Sequence, residues 1–540
     1  MKKNNFGYRQ DVRDKQLVIL SAGIYHISMT FRGLIFIVIA GITALFAACA
    51  IGPDYVKPKT AVPASYKEME NWKVAQPKDE VIRGEWWKIF NDPQLNELEE
   101  QVNISNQNIA VAEAQFRQAR ALVQVTQAGY FPTLTANPSV TRSLKSSNLS
   151  TTSGGTGSTS GTGTGSTGGT PGTSSTGSTT KSTPTVSDFK LSFDLSWEVD
   201  IWGKVRRTVE SSRASAEASK ADLEAVRLSM QAELAQDYFQ LQTLDTQKQF
   251  LDATVASYQK SLDLTKNRYA GGIVAKVDVL QAEAQLNSTK SQAIDLGVQR
   301  AQLEHAIALL IGKPASDFSL PVAPLVTVPP PIPSGLPSEL LERRPDISSA
   351  ERRVAAANAQ IGVAEAAFFP SVTLSALGGY EGVKLSKWLV WPSHFWSVGA
   401  AMAEPIFEGG SRWAQTKQAR AAYEANVASY RQTVLTAFQE VEDNLAALRI
   451  LEDEVMVQEE AVKASEQSLA LTINQYKAGT VSYLNVIVAQ VIMLNNKTVA
   501  NNILGRRFAA STLLIKALGG GWDSSSLYST DDKFKNDAKK

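Results

Sequence analysis

Two segments 207 residues apart carry the same punctuation. The first runs from Tyr269 through Gly272 and Val274 to Asp278, Val279 and Ala282; the second runs from Tyr476 through Gly479 and Val481 to Asn485, Val486 and Ala489. Tyrosine, glycine, both valines and alanine recur at one constant offset. Each segment is flanked by long stretches of helical apolar periodicity, so each reads as the tip of a helical hairpin. Glycine supplies the left-handed conformation that ends an incoming helix, and Asp278 or Asn485 is placed to cap the outgoing one. A chain with two such hairpins is one design made twice, which restrains it far more than its length of 540 residues does.

The repeat extends beyond the tips. Ser105 to Gly129 is helical in pattern and ends at Tyr130-Phe131-Pro132; Ser349 to Ala367 does the same and ends at Phe368-Phe369-Pro370. Here the offset is 238, with Glu113, Ala119, Val125 and Thr135 matching Glu351, Ala357, Val363 and Thr373. Proline stops each helix and starts extended chain. The drop from 238 to 207 gives the first half 31 additional residues, and these fall in a Ser/Thr/Gly tract from Ser150 to Thr180. Such a composition cannot form a packed core and suits an exposed loop, here 143–187. It reads most simply as a tolerated insertion.

After that loop Phe189, Leu191, Phe193, Leu195, Trp197, Val199 and Ile201 alternate with Lys190, Ser192, Asp194, Ser196, Glu198 and Asp200. A weaker alternation places Trp396, Val398, Ala400 and Met402 among small residues in the second half. A soluble sandwich and a membrane barrel both produce this pattern; the N-terminus favours the barrel. The following stretch, Val205 to Arg268, is helical almost without interruption, about 64 residues or about 95 Å, which suggests a coiled-coil-like wall. Return helices are expected near 278–311 and 485–518. About four membrane strands per chain cannot close a barrel whose minimum is about eight, so the barrel must be shared between chains.

Residues 33–48 form an apolar run behind Arg32 and end in Ala48 before Cys49, the only cysteine. This is a secretory signal, too short to favour a permanent span. Cys49 is placed as a lipidation site, an acyl chain such as palmitate being the covalent group expected; Phe46 departs from the usual lipobox, and an ordinary signal with a chance cysteine is the plainer alternative. Met29 is a second possible start. Residues 1–48 carry a net of +4, which leaves −3 on the remainder of a chain whose total is +1. That offers no basic field for nucleic acid. The three histidines are scattered, and nothing in the sequence suggests a metal site, a cofactor, a phosphate loop or a catalytic nucleophile. His305 reads as a wall residue, not a proton switch.

Across these stretches the chain resembles the TolC-type outer-membrane efflux channels, in the OprM/NodT-family lipoprotein branch. The resemblance is carried by Gly52-Pro53-Asp54-Tyr55, Trp86-Trp87, Asp92-Pro93, Asp194 to Gly203, Arg343-Arg344-Pro345-Asp346, Phe368-Phe369-Pro370, Pro405 to Gly410 and Leu518 to Trp522. It implies a mixed α/β membrane protein of two structural repeats. Four strands per chain would contribute to a homotrimeric, 12-stranded outer-membrane β-barrel, continued by a long periplasmic α-helical barrel with a small equatorial region. The divisions expected are a signal peptide (1–48), a lipid-anchored arm and equatorial segment (49–104), a first repeat (105–312), a Pro-rich linker (313–345), a second repeat (346–519) and a tail (520–540).

The implied function is a passive, gated conduit in multidrug resistance and other efflux transport. It would carry small toxic compounds from a periplasmic membrane-fusion adaptor and an inner-membrane pump, of RND type, to the exterior. The implied docking tips are Tyr269, Gly272 and Val274 in the first hairpin and Tyr476, Gly479, Val481, Ser482, Tyr483 and Leu484 in the second. The family pattern Tyr-x-x-Gly-x-x-Ser-Tyr-Leu is kept at the second tip only; Ala275 and Lys276 break it at the first. Asp278 is a gate candidate, with a plain helix cap as its simpler reading, and Tyr269 and Tyr476 serve equally well as helix-end staples. A surface lipoprotein with a coiled-coil stalk, acting as adhesin or spacer, is the competing reading; it leaves the paired strands and the repeat unexplained.

Overall fold

A computed structural model describes residues 50–60, 62–63, 66–67, 84–144, 185–325, 328–330, 332 and 343–522. The signal, Met29, Cys49, the whole Ser/Thr/Gly tract and the tail beyond Trp522 lie outside the described residues. The elements recur between the two halves of the chain. Helix α2 (Gln107–Gln127) and strand β1 (Thr133–Ser143) recur as α5 (Pro345–Ala366) and β3 (Ser371–Gly382). Strand β2 (Val186–Val199), α3 (Lys204–Ala270) and α4 (Lys276–Leu310) recur as β4 (His394–Ala403), α6 (Ser411–Ala478) and α7 (Tyr483–Ala517). At 67 and 68 residues, α3 and α6 run for about 100 Å each. The chain forms two compact units, one holding the strands and the other the helices, and each draws on both repeats.

The strand unit is a four-stranded antiparallel sheet in the order β1-β2-β3-β4. Its register decides what the alternation means, because residues directly opposite one another share a face. Leu134, Ala136, Pro138 and Val140 oppose Leu195, Phe193, Leu191 and Phe189. Those in turn oppose Ala376, Gly378, Tyr380 and Gly382, and Trp396, Val398 and Met402 continue the row opposite Gly378, Ala376 and Val372. One face is therefore apolar across all four strands. The other carries Thr133, Thr135, Asn137, Lys190, Asp194 and Glu381, with Lys190 and Glu381 opposed and paired at 3.6 Å. Leu134, Val140, Phe193, Trp396, Val398 and Met402 remain exposed. Pro138 sits on the edge strand β1, where its missing N–H interrupts no second ladder.

Strand β2 stops at Val199, not at Ile201 as the alternation suggests. The amide of Ile201 turns back to the Val199 carbonyl at 2.9 Å, and the Asp200 carboxylate takes the Val205 amide at 3.0 Å, starting α3. Trp202 stacks on Phe369, with ring centroids 4.8 Å apart, and donates to the Pro370 carbonyl at 2.7 Å. The aromatic-proline corner of the second half is thus joined to the strand-to-helix turn of the first.

In the helical unit, α1 (Pro93–Ser105) and α2 are two helices; the pattern read from Ser105 to Gly129 is α2, which starts two residues later, at Gln107. Asn106 interrupts them, its Oδ1 accepting the amides of Asn108 and Ile109 at 2.9 and 3.1 Å. Its Nδ2 donates to the Leu310 carbonyl at the end of α4, at 2.7 Å. Arg344, at the equivalent place, donates to the Ala517 carbonyl at the end of α7, at 3.0 Å. It also reaches Glu440 and Asp346, both at 2.7 Å. One geometry is served by an amide in the first half and a buried guanidinium in the second. Both fix the end of a return helix that lies far along the chain from its tip.

The aromatic cluster beneath these clamps explains the Trp-Trp and Asp-Pro stretches. Trp86, Trp87 and Phe90 lie in a short 3-10 turn and pack with Phe239 and Phe508 in the main core. Asp92 caps α1 through the amides of Gln94 and Leu95 and accepts the Tyr238 hydroxyl at 2.8 Å. The described part of the Pro-rich linker is strapped to α3 and α4. Arg300 donates to the Leu320 carbonyl and pairs with fully buried Asp245, which accepts the Ala323 amide. No helix among the described residues is long and apolar enough to cross a membrane.

Candidate docking and gating tips

The tips are backbone twins. At the first, Gly272 adopts φ +69°, its amide donates to the Tyr269 carbonyl and the Ile273 amide reaches back to Arg268 at 2.9 Å. At the second, Gly479 adopts φ +80°, its amide donates to the Tyr476 carbonyl and the Thr480 amide reaches back to Gln475 at 3.0 Å. Both are Schellman closures, which need a residue with positive φ at the glycine position. The restart is matched too: Asp278 and Asn485 donate their amides to Ala275 and Ser482, each at 3.1 Å.

This last detail corrects the capping assignment. The N-cap positions are Ala275 and Ser482, and neither side chain makes a cap hydrogen bond. Asp278 stands inside the first turn of α4, where a carboxylate favours the positive end of the helix dipole without closing it. Lys276 opens one return helix and Tyr483 the other, so the chemistry of the two restarts differs.

The side chains part company at the tyrosines. Tyr476 is 3 % exposed and packs with Tyr483, ring centroids 5.4 Å apart, in a cluster with Tyr258 and Leu262 of α3, Leu286 of α4 and Val486 of α7. Val481 lies against the same cluster. Arg268, from the end of α3, lies over the Tyr476 ring at 4.8 Å and donates to the Tyr476 carbonyl at 2.7 Å. The Tyr476 hydroxyl lies 3.2 Å from Thr265 Oγ1. Burial, with Tyr476 and Tyr258 beside it, pushes the Tyr483 hydroxyl up to about 12. Tyr269, its supposed counterpart, is 45 % exposed. The two tyrosines therefore differ: Tyr476 is buried where the two hairpins meet, and Tyr269 is largely exposed.

Of the other candidates, Gly272, Gly479, Ser482 and Leu484 are exposed, while Val274 and Asp278 are half-buried. The exposed set is extended by Ile273, Val277, Leu280, Val488 and Ile492, an apolar surface that the candidate residues only sample. The sequence reading overlooked Arg268 and Thr265. One signal was available, since arginine precedes the first tyrosine and glutamine the second. Among the described residues no group of His, Cys, Asp and Glu is arranged to hold a metal.

A one-sided apolar sheet joined to two hairpins of this length defines a membrane channel protein with a helical extension. The family model for outer membrane efflux proteins matches residues 98–313 and 336–520, and the chain belongs to that family. The break between the two matches falls in the Pro-rich linker. Over 485 residues the chain is 29% identical to the toluene efflux pump outer membrane protein TtgC of Pseudomonas putida, covering 88% of this chain and 94% of TtgC. It is 28% identical over 449 residues to nodulation protein T of Rhizobium leguminosarum bv. trifolii, covering 83% and 89%. The solved outer-membrane channel OprN superposes with a TM-score of 0.77 at 29% identity, over 88% of this chain and 100% of OprN. The protein is thus the outer-membrane channel component of an efflux system and not an enzyme.

Proposed function

We propose that three copies of the chain share one 12-stranded barrel in the outer membrane and form a passive conduit whose periplasmic mouth is set by the tips. The observation that carries this is the sheet. Its register lines up Leu134, Val140, Phe193, Leu195, Trp396, Val398 and Met402 on one face, and β1 and β4 each keep an unpaired edge within the chain. Open edges in hydrocarbon leave backbone groups unsatisfied, so closure requires further copies. The exposed apolar surface of the tips, from Tyr269 to Leu280 and from Leu484 to Ile492, suits the adaptor, with an RND-type inner-membrane pump behind it supplying the energy. The structure holds Tyr476 against Arg268 and Tyr483. Opening would separate these contacts, and adaptor binding would favour the open form only through tighter binding to it. Cys49 is assigned as the acylated mature N-terminus. Compounds chemically related to the cargo of TtgC, small and apolar, are a reasonable first set to test.

The test is the mass of the native species extracted from outer membranes in mild detergent. About three times the mature chain mass supports the shared barrel. A stable monomer would remove the channel mechanism and leave the anchored stalk as the better account. Acylation is read separately, from the mass of the N-terminal peptide.

A further inference from the structure

The β3–β4 connection, residues 383–393, is a small folded structure of its own. The Lys387 amide closes on the Lys384 carbonyl at 3.0 Å and the Ser393 amide on the Val390 carbonyl at 2.9 Å, in two short 3-10 turns, Leu385–Lys387 and Trp391–Ser393. The Ser393 hydroxyl ties the turns together by donating to the Lys387 carbonyl at 2.7 Å. The surface this loop presents is apolar: Val383, Leu385, Leu389 and Trp391 are 63, 65, 60 and 74 % exposed. Its charge is of one sign. Lys384 and Lys387 are exposed, and the chain has no acidic residue between Glu381 and Glu404. Glu381 itself is paired with Lys190 on the polar face of the sheet.

The register fixes the side of the sheet that the loop covers. Gly382 opposes Phe189 and so belongs to the apolar row. A Cβ added to Gly382, pointing out of that face, would meet Trp388 Cα at 3.4 Å, the Lys387 carbonyl oxygen at 3.5 Å and Ser393 Oγ at 3.6 Å. The loop backbone is therefore folded back over the apolar face and not across the polar one. Two ring contacts agree. Trp388 lies against Phe189, centroids 6.1 Å apart, and its indole N–H donates to the Tyr380 carbonyl at 3.3 Å. Trp391 stacks on His394, centroids 4.5 Å apart and planes 11° apart, and His394 opposes Tyr380 in the same row. A clustered apolar surface of this kind marks a place where something other than water is met.

We propose that the β3–β4 loop is a lipid-docking surface whose occupant is the phosphorylated glycolipid of the outer leaflet, lipopolysaccharide; the proposal rests on the shared-barrel reading, in which the apolar face meets lipid. Leu385, Leu389, Val390 and Trp391 continue that face, and indole is favoured where hydrocarbon gives way to headgroups. Lys384 and Lys387, three residues apart, supply point charges for phosphate. The same end of the sheet carries the long connection from Ser143 to Val186, and the long connections of outer-membrane barrels face the exterior. Because the loop is folded onto the outward face, it leaves the exit of the conduit uncovered.

The experiment uses the full-length channel, assembled and purified in mild detergent, and titrates it with fluorescently labelled lipid A, the phosphorylated part of that glycolipid, with phosphatidylglycerol as competitor. Wild type is compared with Lys384→Gln/Lys387→Gln and with Leu389→Ser/Trp391→Ser. Loss of the two lysines is expected to weaken lipid A binding roughly tenfold and to remove most of its salt dependence. Loss of the two apolar side chains is expected to weaken it several-fold with the salt dependence kept. Single-channel conductance in a planar bilayer is expected to match wild type in both variants, since the loop lies off the lumen. Unchanged lipid A binding by Lys384→Gln/Lys387→Gln overturns the inference. So does displacement of lipid A by an equal concentration of phosphatidylglycerol, and so does altered conductance, which would make the loop a lid. A wild-type chain that forms no conducting assembly overturns instead the shared-barrel reading on which the inference stands.

Discussion

At the first tip the Ile273 amide closes on Arg268, and at the second the Thr480 amide closes on Gln475, 207 residues later and within 0.1 Å of the same length. Around these matched closures the side chains do opposite things. Tyr476 and Tyr483 are buried where the two hairpins meet, whereas Tyr269 and Lys276 are exposed. The contrast shows what a duplicated fold conserves. Backbone hydrogen bonds are local and repeat with the glycine that permits them. Burial depends on the neighbour, and each hairpin has a different one. The same lesson appears at Asn106 and Arg344, two unlike residues that donate to equivalent helix-end carbonyls.

The sharpest way to break the comparison is at those clamps. Arg344→Ala removes a buried guanidinium that holds the end of α7; because Glu440 and Asp346 are partly solvent-exposed, a loss of about 2–3 kcal/mol is expected. Asn106→Ala loses a cap and one hydrogen bond, about 1–2 kcal/mol. Thermal unfolding of the detergent-solubilised channel compares the two, and equal losses would mean that the clamps are interchangeable.

At the tyrosines, Tyr476→Ala removes a buried ring and is expected to cost about 3–4 kcal/mol of local stability. Tyr269→Ala should stay within about 0.5 kcal/mol. Hydrogen exchange across residues 470–490 and 262–282 separates these, and matching effects would restore the symmetric reading. Arg268→Ala should loosen the tips by about 1–3 kcal/mol, the worth of a charged hydrogen bond, and raise single-channel conductance in a planar bilayer. Gln475→Arg, at the matching position, should do neither.

Gly272→Ala and Gly479→Ala test the half of the comparison that is symmetric. Each forces a Cβ into the left-handed region, and each should cost about 1–2 kcal/mol, at both tips alike. The smallest effect is electrostatic. The Tyr483 hydroxyl is raised above its ordinary value by burial, so the folded tip favours the neutral phenol and the unfolded chain ionises first. Stability from this group is intact below pH 10 and falls as pH rises from 10 towards 12. An alkaline absorbance titration should lose this late step in Tyr483→Phe, and Lys276 gives the first tip no counterpart.

The element starts, the hairpin turns and the strand alternation were legible in the sequence because they are set by interactions within a few residues: periodicity, proline stops and glycine closures. Other features needed long-range contact. Asp278 looks like a cap, yet the turn is closed by backbone alone and the helix begins two residues earlier. Asn106 looks like an ordinary helical asparagine until Leu310 is placed beside it.

The sequence alone determined that this chain is a repeated hairpin with two-faced strands, since period and offset are properties of the order of residues. Tertiary structure decided which repeated residues share a job. It aligned the apolar rows of the four strands on one face through the register, with Leu377 and Phe395 left on the other, buried one tyrosine of a matched pair, and gave Arg207 the carbonyls of a segment more than 150 residues away. Those outcomes turn on which surfaces meet, and no local pattern encodes the neighbour.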